Sequence, residues 1–295
     1  MELRVLEYFL AVAKEQSITK AADSLHLTQL TLSRQLKDLE DEFGKRLMIR
    51  GKRKVTLTED GLFFRQRAEE IISLAKRTET EMKNPIDIIT GNIYIGAGET
   101  DAIHNIAKVA YQLQKEYNGI HFHIISGDTA DLTERLDKGL FDFCLLLGEI
   151  DQSKYEYLTL PYQDHWGVLM RKDTLLAQKD SIHPQDLWDK PLLFSRQTLN
   201  MPSFFKWFGK TAAEINIVAT YNLAYNASIM AMENMGYVLT LEHLINTEGT
   251  NLCFRPFNPA YTFGMSLVWK KYQSQSKASE KFIERLNKHI VSIRT

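Results

Sequence analysis

The chain has 295 residues, 44% hydrophobic and 25% charged, with 36 lysines and arginines against 37 acids. That length is more than one ordinary domain, and that composition is globular, which excludes a disordered, collagenous or fibrous chain. A net charge of -1 neither marks nor excludes a nucleic-acid partner, no apolar run reaches the length of a membrane span, and two cysteines are too few for a disulfide framework.

In chain order, Leu3, Leu6, Phe9, Leu10 and Ala13 recur at helical spacing and predict an amphipathic first helix. Ser17 is placed to cap a short second helix whose inner face holds Ala21, Ala22 and Leu25, the paired alanines allowing another helix to approach. His26 and Leu27 make a turn. Thr28 then caps a third helix with Leu32, Leu36, Leu39 and Phe43 inward, and Gly44 closes it. Three short helices with a tight turn between the second and third describe a helix-turn-helix. The outer face of the third carries Gln29, Ser33 and Lys37 about one turn apart, with Thr31 and Arg34 alongside. Such side chains either hydrogen-bond base edges and phosphates or simply solvate a helix.

The next segment favours DNA. Lys45, Arg46, Arg50, Lys52, Arg53 and Lys54 follow with no acid among them, so a phosphate-contacting edge is a sharper reading than a solvated loop. Extended runs at 47–50 and 55–57 flank a Gly-Lys-Arg-Lys turn and predict a β-hairpin wing. Its basic tip would lie on the DNA backbone while the third helix reads sequence. The candidate DNA-binding set is Ser17, Thr28, Gln29, Thr31, Ser33, Arg34, Lys37, Arg50, Lys52, Arg53 and Lys54.

The run Ser17-x3-Ala21-Ala22-x2-Leu25-x3-Gln29-x3-Ser33-x2-Leu36-x2-Leu39-Glu40-x2-Phe43-Gly44-x2-Leu47-x2-Arg50 resembles the head motif of LysR-type transcriptional regulators. The later Leu57-Thr58-Glu59-Asp60-Gly61 resembles the family's Leu-Thr-Glu-x-Gly at the start of its linker helix. Departures are apolar exchanges at Leu36, Phe43 and Met48, and Leu30 where the family often has Pro or Ser, a change that bears on which bases are favoured.

Thr58 can cap a helix running to about residue 83, ended by Asn84-Pro85, roughly 25 residues and about 38 Å long. Leu62, Phe63, Ala68, Ile71, Ile72, Ala75 and Met82 give it an apolar side too large for a small head to cover, so pairing with a second copy is expected, a helix packed within its own chain being the alternative. The resemblance implies antiparallel pairing of two such helices in a homodimer, assembling to a homotetramer.

From residue 91 strands alternate with helices: strands at 92–96, 120–126 and 141–147 with helices at about 101–117 and 129–138, then strands at 166–170, 192–194, 215–219 and 237–240 with helices at 204–208 and 223–235. A strand at 266–270 and a closing helix at about 276–292 complete the pattern, which predicts a mainly parallel sheet with helices on both faces. Two α/β lobes joined by two crossing strands resemble the periplasmic-binding-protein architecture of the LysR effector domain. The expected organisation is therefore an all-α winged helix-turn-helix at 1–58, a linker dimerisation helix at 59–87 and a two-lobed α/β effector domain at 91–295. Lobe I takes about 91–161 and 266–295, lobe II about 162–265, with hinges near 160–163 and 263–265.

In such a domain the ligand sits outside the carboxyl ends of strands. Three strand ends offer polar groups there, Gly98-Glu99-Thr100-Asp101, Ser126-Gly127-Asp128-Thr129 and Ser195-Arg196-Gln197-Thr198, and the candidates are Glu99, Thr100 and Asp101; Ser126, Gly127 and Thr129; Gly148; Ser195 and Arg196; and Tyr221 and Asn222. Thr100 and Thr129 are equally placed to cap helices, and Arg196 to sit on the surface or, turned inward, to hold a carboxylate. Glu99 and Asp101 would repel an anion, so the effector's charge stays open.

No catalytic residue, metal site or cofactor is expected. Cys144 lies among Leu and Phe and reads as core, His165 as structural, and His121 and His123 share a strand face without further ligands nearby. No phosphate-binding glycine loop or nucleophile–base pair stands out. Met1-Glu2-Leu3-Arg4 does not read as a signal peptide, and the cysteines suit a reducing cytoplasm. The expected function is promoter DNA binding modulated by a small-molecule effector, with RNA polymerase as a further partner and no membrane association. An enzyme, or a DNA-bound scaffold whose cleft takes no ligand, is the rival reading.

Overall fold

The computed structural model describes residues 1–51, 54–83, 89–148 and 150–294, and the chain divides into two units, Met1–Pro85 and Ile86–Thr295. In the first unit, α1 (Leu3–Glu15), α2 (Ile18–Ser24) and α3 (Gln29–Phe43) precede a hairpin of β1 (Met48–Arg50) and β2 (Val55–Leu57), followed by α4 (Glu59–Lys83). The Ser17 side chain accepts from Lys20 N, Thr28 accepts from Thr31 N, and Gly44 ends α3 at φ 63°. His26 takes the left-handed conformation, φ 55°, in the turn between α2 and α3.

Leu6 and Phe9 of α1, Ala21 and Ala22 of α2, and Leu32, Leu36 and Leu39 of α3 are buried. Phe9 meets Phe64 of α4 edge-on at 4.9 Å. Three of the expected inward positions on α1 are not buried: Leu3 is exposed and Leu10 and Ala13 are half-buried, while Val5 and Val12 are buried. The buried arc is thus set by where α2, α3 and α4 lie against α1. Phe43 is 42% exposed at the end of α3, covered on one side by the Phe64 ring.

The second unit runs β3 (Gly91–Ala97), α5 (Ile103–Glu116), β4 (Ile120–Ser126), α6 (Thr129–Asp137), β5 (Phe143–Leu147) and the 17-residue β6 (Tyr155–Arg171). It continues with β7 (Leu192–Ser195), α7 (Arg196–Leu199), α8 (Pro202–Phe208), β8 (Ile217–Tyr221), α9 (Ala224–Met232), β9 (Tyr237–Leu241), β10 (Leu252–Pro256), β11 (Thr262–Lys270) and α10 (Lys277–Arg294). The strands connect in the order β4-β3-β5-β11-β6-β9-β7-β8, with β10 also on β6.

The sheet is mixed rather than mainly parallel. β3 pairs parallel with β4 and β5, and β7 parallel with β8 and β9, but β6 and β11 run antiparallel to every partner. These two strands cross between the lobes in opposite directions. Residues 155–159 of β6 pair with 266–270 of β11, 163–165 with 262–264, and 166–169 with β9. Pro161 falls opposite the register shift between Gly264 and Ser266, where a residue lacking an N–H leaves no ladder bond unmade.

One core gathers Ile93, Ile95, Phe143 and Leu145 under Phe282 and Leu286 of α10. A second gathers Val168, Leu192, Phe194, Phe204 and Phe208. Cys144 is buried, donates to Leu132 O, and has its thiol pushed up to about 12 by burial, as a core residue would.

Candidate nucleic-acid interface and ligand cleft

On α3, Gln29, Thr31, Arg34 and Lys37 are exposed and Ser33 is half-buried. Gln29 Oε1 accepts from Thr19 Oγ1 at 3.2 Å, so the first turn of α3 is tied to α2 while the rest of its outer face stays open. Leu30, 81% exposed, stands among these polar groups. Arg50 reaches from β1 to α3: its Nη1 donates to Ser33 Oγ at 2.7 Å and its Nη2 to Ser33 O at 3.4 Å. The wing and the third helix therefore present one continuous polar surface. Lys54 is exposed beside it, and Lys52 and Arg53 lie outside the described residues.

Two motif residues act behind this face. The Glu40 Oε1 accepts from Leu47 N at 2.6 Å and Met48 N at 3.0 Å, anchoring the entry to β1. Thr58 caps α4 through Gly61 N and donates its hydroxyl to Arg46 O at 2.7 Å. A Cβ at Gly61 would sit 1.9 Å from Leu47 O, so only glycine lets the first turn of α4 lie against that backbone. On α4, Ala68 and Ile72 are buried with Leu6, but Leu62, Phe63, Ile71, Leu74 and Met82 remain exposed.

In the second unit a cleft opens where strand ends of the two lobes face each other. Gly98, Glu99, Gly127, Thr129, Ser195, Tyr221 and Asn222 line it, together with Gln197, Thr198 and Thr240 and an apolar group of Leu145, Leu147, Trp166, Leu241, Leu244 and Met265. Thr100, Asp101, Ser126, Gly148 and Arg196 are not among the lining residues. Thr100 is turned inward, its Oγ1 donating to Asp164 Oδ2 at 2.6 Å and accepting from Ala102 N. Asp101 lies 3.3 Å from His104 Nε2, Ser126 is exposed at the end of β4, and Gly148 takes φ 87° at the end of β5. Arg196 opens α7 with its side chain exposed, because Ser195 caps that helix and sends the next residue outward.

Thr129 is not the cap of α6; Asp128 accepts from Asp131 N in that role. The Thr129 hydroxyl instead accepts from Gln197 Nε2 at 2.9 Å, across the cleft. A second bridge joins Glu99 Oε2 to Ala224 N at 2.5 Å, at the start of α9. Gln197 belongs to the Ser195–Thr198 strand end expected at the cleft, whereas Trp166 was not anticipated from the sequence. Gln197 sits two residues past Ser195, and Trp166 is hidden in what reads as a core strand. The Trp166 indole, 4% exposed, has no hydrogen-bond partner for Nε1 among the described residues.

Among the described residues no group of three metal-ligating side chains is found, and no helix is long and apolar enough to cross a membrane.

The family model described as "Bacterial regulatory helix-turn-helix protein, lysR family" matches residues 3–62, and that described as "LysR substrate binding domain" matches residues 89–290. The chain belongs to the LysR family. The LysR regulators it resembles include the Hca operon transcriptional activator HcaR of Escherichia coli K12, 26% identical over 298 residues and 99% of each chain. The transcriptional regulator BsdA of Bacillus subtilis is 38% identical over 143 residues, 48% of this chain and about half (49%) of that one. Among solved structures, full-length CbnR complexed with its target DNA superposes with TM-score 0.75 at 18% identity, covering 98% of this chain and 100% of that one, a likeness of fold. Full-length BenM superposes with TM-score 0.55 at 26% identity over 99% and 96%. A LysR chain of this kind is a DNA-binding transcription regulator whose winged helix-turn-helix precedes a two-lobed α/β effector domain.

Proposed function

We propose that this regulator reads promoter DNA as a homodimer, assembling to a homotetramer, with α3 in the major groove and the β1–β2 wing on phosphates. The observation that carries the reading is the bond from Arg50 to Ser33, which joins wing and helix into one exposed polar surface. Gln29, Ser33 and Arg34 then read bases, with Lys37 and Lys54 on the backbone. Lys52 and Arg53 belong to the same wing by sequence. Exposed Leu62, Phe63, Ile71, Leu74 and Met82 on α4 supply the apolar row that a second copy would cover, giving two heads for two half-sites.

The cleft takes a small-molecule effector. Because the two lobes are bridged by Glu99 and Gln197, a ligand between them shifts their relative orientation and, through the dimer, the spacing of the heads and the bend of the DNA. The protein acts in the cytoplasm, addresses RNA polymerase at promoters and catalyses no reaction. Its cysteines are buried thiols, and the described residues lining its cleft include no histidine, lysine or cysteine. Selection of duplexes from a random-sequence library by the full-length protein tests the reading. A recurrent sequence with two spaced half-sites is expected, and recovery of unrelated sequences would refute it.

A further inference from the structure

Resting on the reading of the cleft as the effector site, the structure also speaks to the chemistry of what enters it. Glu99 carries the one formal charge among the described residues that line the cleft. No lysine, arginine or histidine is among those lining residues, and Arg196, between the lining residues Ser195 and Gln197, is turned to solvent.

The start of a helix is where a cleft of this architecture would hold an anion, because free backbone N–H groups and the helix dipole favour negative charge. Here the chain fills that position itself: Glu99 Oε2 accepts from Ala224 N at the beginning of the nine-residue α9. A carboxylate ligand would have to compete with Glu99 for that helix end while lying beside its charge. A second, independent feature lies on the same cavity wall. Trp166, which lines the cleft, is 4% exposed, and its indole N–H, a donor only, meets no acceptor among the described residues. A buried donor left unmade is costly, so a ligand that supplies an acceptor gains from it. Leu145, Leu241 and Met265 line the same cleft and suit an apolar body.

We infer that the cleft is built for a small amine: a ligand that offers a cationic nitrogen to Glu99 and an oxygen acceptor to the Trp166 indole across an apolar centre, and that carries no carboxylate. Such a ligand draws Glu99 off the α9 backbone, so binding and the opening of one lobe bridge are the same event.

The test uses full-length protein and end-group-matched probes: tyramine, phenethylamine, the neutral alcohol tyrosol, and 4-hydroxyphenylacetate. Thermal unfolding and tryptophan fluorescence report binding. Tyramine should raise Tm at millimolar concentration and 4-hydroxyphenylacetate should not. Glu99→Gln should weaken tyramine at least tenfold while leaving tyrosol unchanged within threefold. Trp166→Phe, which keeps the ring and removes the N–H, should weaken tyramine more than phenethylamine. Stabilisation by 4-hydroxyphenylacetate in preference to tyramine would overturn the amine class and leave the cleft standing as the effector site. No response to any probe, extended to a panel of other aliphatic and aromatic amines, acids and alcohols, would remove the cleft reading and the inference with it. Each variant is checked for an unchanged Tm without probe, and Glu99→Asp, which keeps the charge, controls for loss of the bridge.

Discussion

Replacing Asp164 with Asn isolates the electrostatic cost of the buried cluster on β6. Asp164 is 1% exposed, accepts from Thr100 through Oδ2, and has no partner for Oδ1 among the described residues. Burial pushes its carboxyl up from 3.8 to about 6, against the opposing Thr100 hydrogen bond and with help from the neighbouring Asp101 charge. An acid whose folded pKa is raised binds its proton more tightly in the folded state. Between pH 3.8 and about 6 the folded chain therefore holds more protons than the unfolded one, stability falls as pH rises through that window, and the full cost is present above it. At about 1.4 kcal/mol per pKa unit the cost is on the order of 3 kcal/mol. Asn keeps an acceptor for Thr100 and carries no charge. All four tryptophans lie in the second unit, at 166, 188, 207 and 269, so their fluorescence follows urea unfolding of that unit alone. The stability of Asp164→Asn relative to wild type should grow by about 2–3 kcal/mol between pH 4 and pH 8. A difference that stays constant across that range would show that Asp164 is not held above its ordinary value.

Three further outcomes follow from the first unit and can be measured on the full chain. Arg34→Ala should weaken binding to a selected duplex by about 1–3 kcal/mol and relax preference at one base position, with tryptophan fluorescence of the second unit unchanged. Lys54→Ala should weaken all duplexes alike and lower the slope of log affinity against log salt by about 0.9, and an unchanged slope would remove Lys54 from the phosphate contacts. Gly61→Ala should destabilise the head although alanine is the better helix former by about 1 kcal/mol, because the new Cβ would lie 1.9 Å from the Leu47 carbonyl oxygen. A head that melts no lower by circular dichroism, and still binds DNA, would refute that packing account.

The head was legible in the sequence because helical spacing, caps and a closing glycine all point the same way, and Ala21, Ala22, Leu32, Leu36 and Leu39 are buried as expected, with Leu25 half-buried and Phe43 exposed. What spacing does not carry is the partner of each motif residue. Glu40 stands in the motif as a polar interruption, and only the folded chain shows it holding the amides of Leu47 and Met48. The first half of β6 went unread because Tyr155–Asp164 mixes polar and apolar residues around Pro161, a pattern made by partner exchange and a register shift rather than by one solvated face. In the cleft, strand-end residues such as Glu99, Thr129 and Ser195 were legible from topology. Arg196 turned outward because capping by Ser195 sets its direction, and Trp166 could not be told from a core residue by periodicity.

The two crossing strands also limit how the lobes can move. β6 and β11 lie side by side and are hydrogen-bonded on both sides of the register shift at Gly264 and Ser266. Sliding one lobe along this ribbon would break a row of backbone bonds at once, whereas twisting it spreads small dihedral changes over several residues. The ribbon therefore behaves as a torsion bar, and a change in how the two lobes face each other is expressed as an angle rather than a slide.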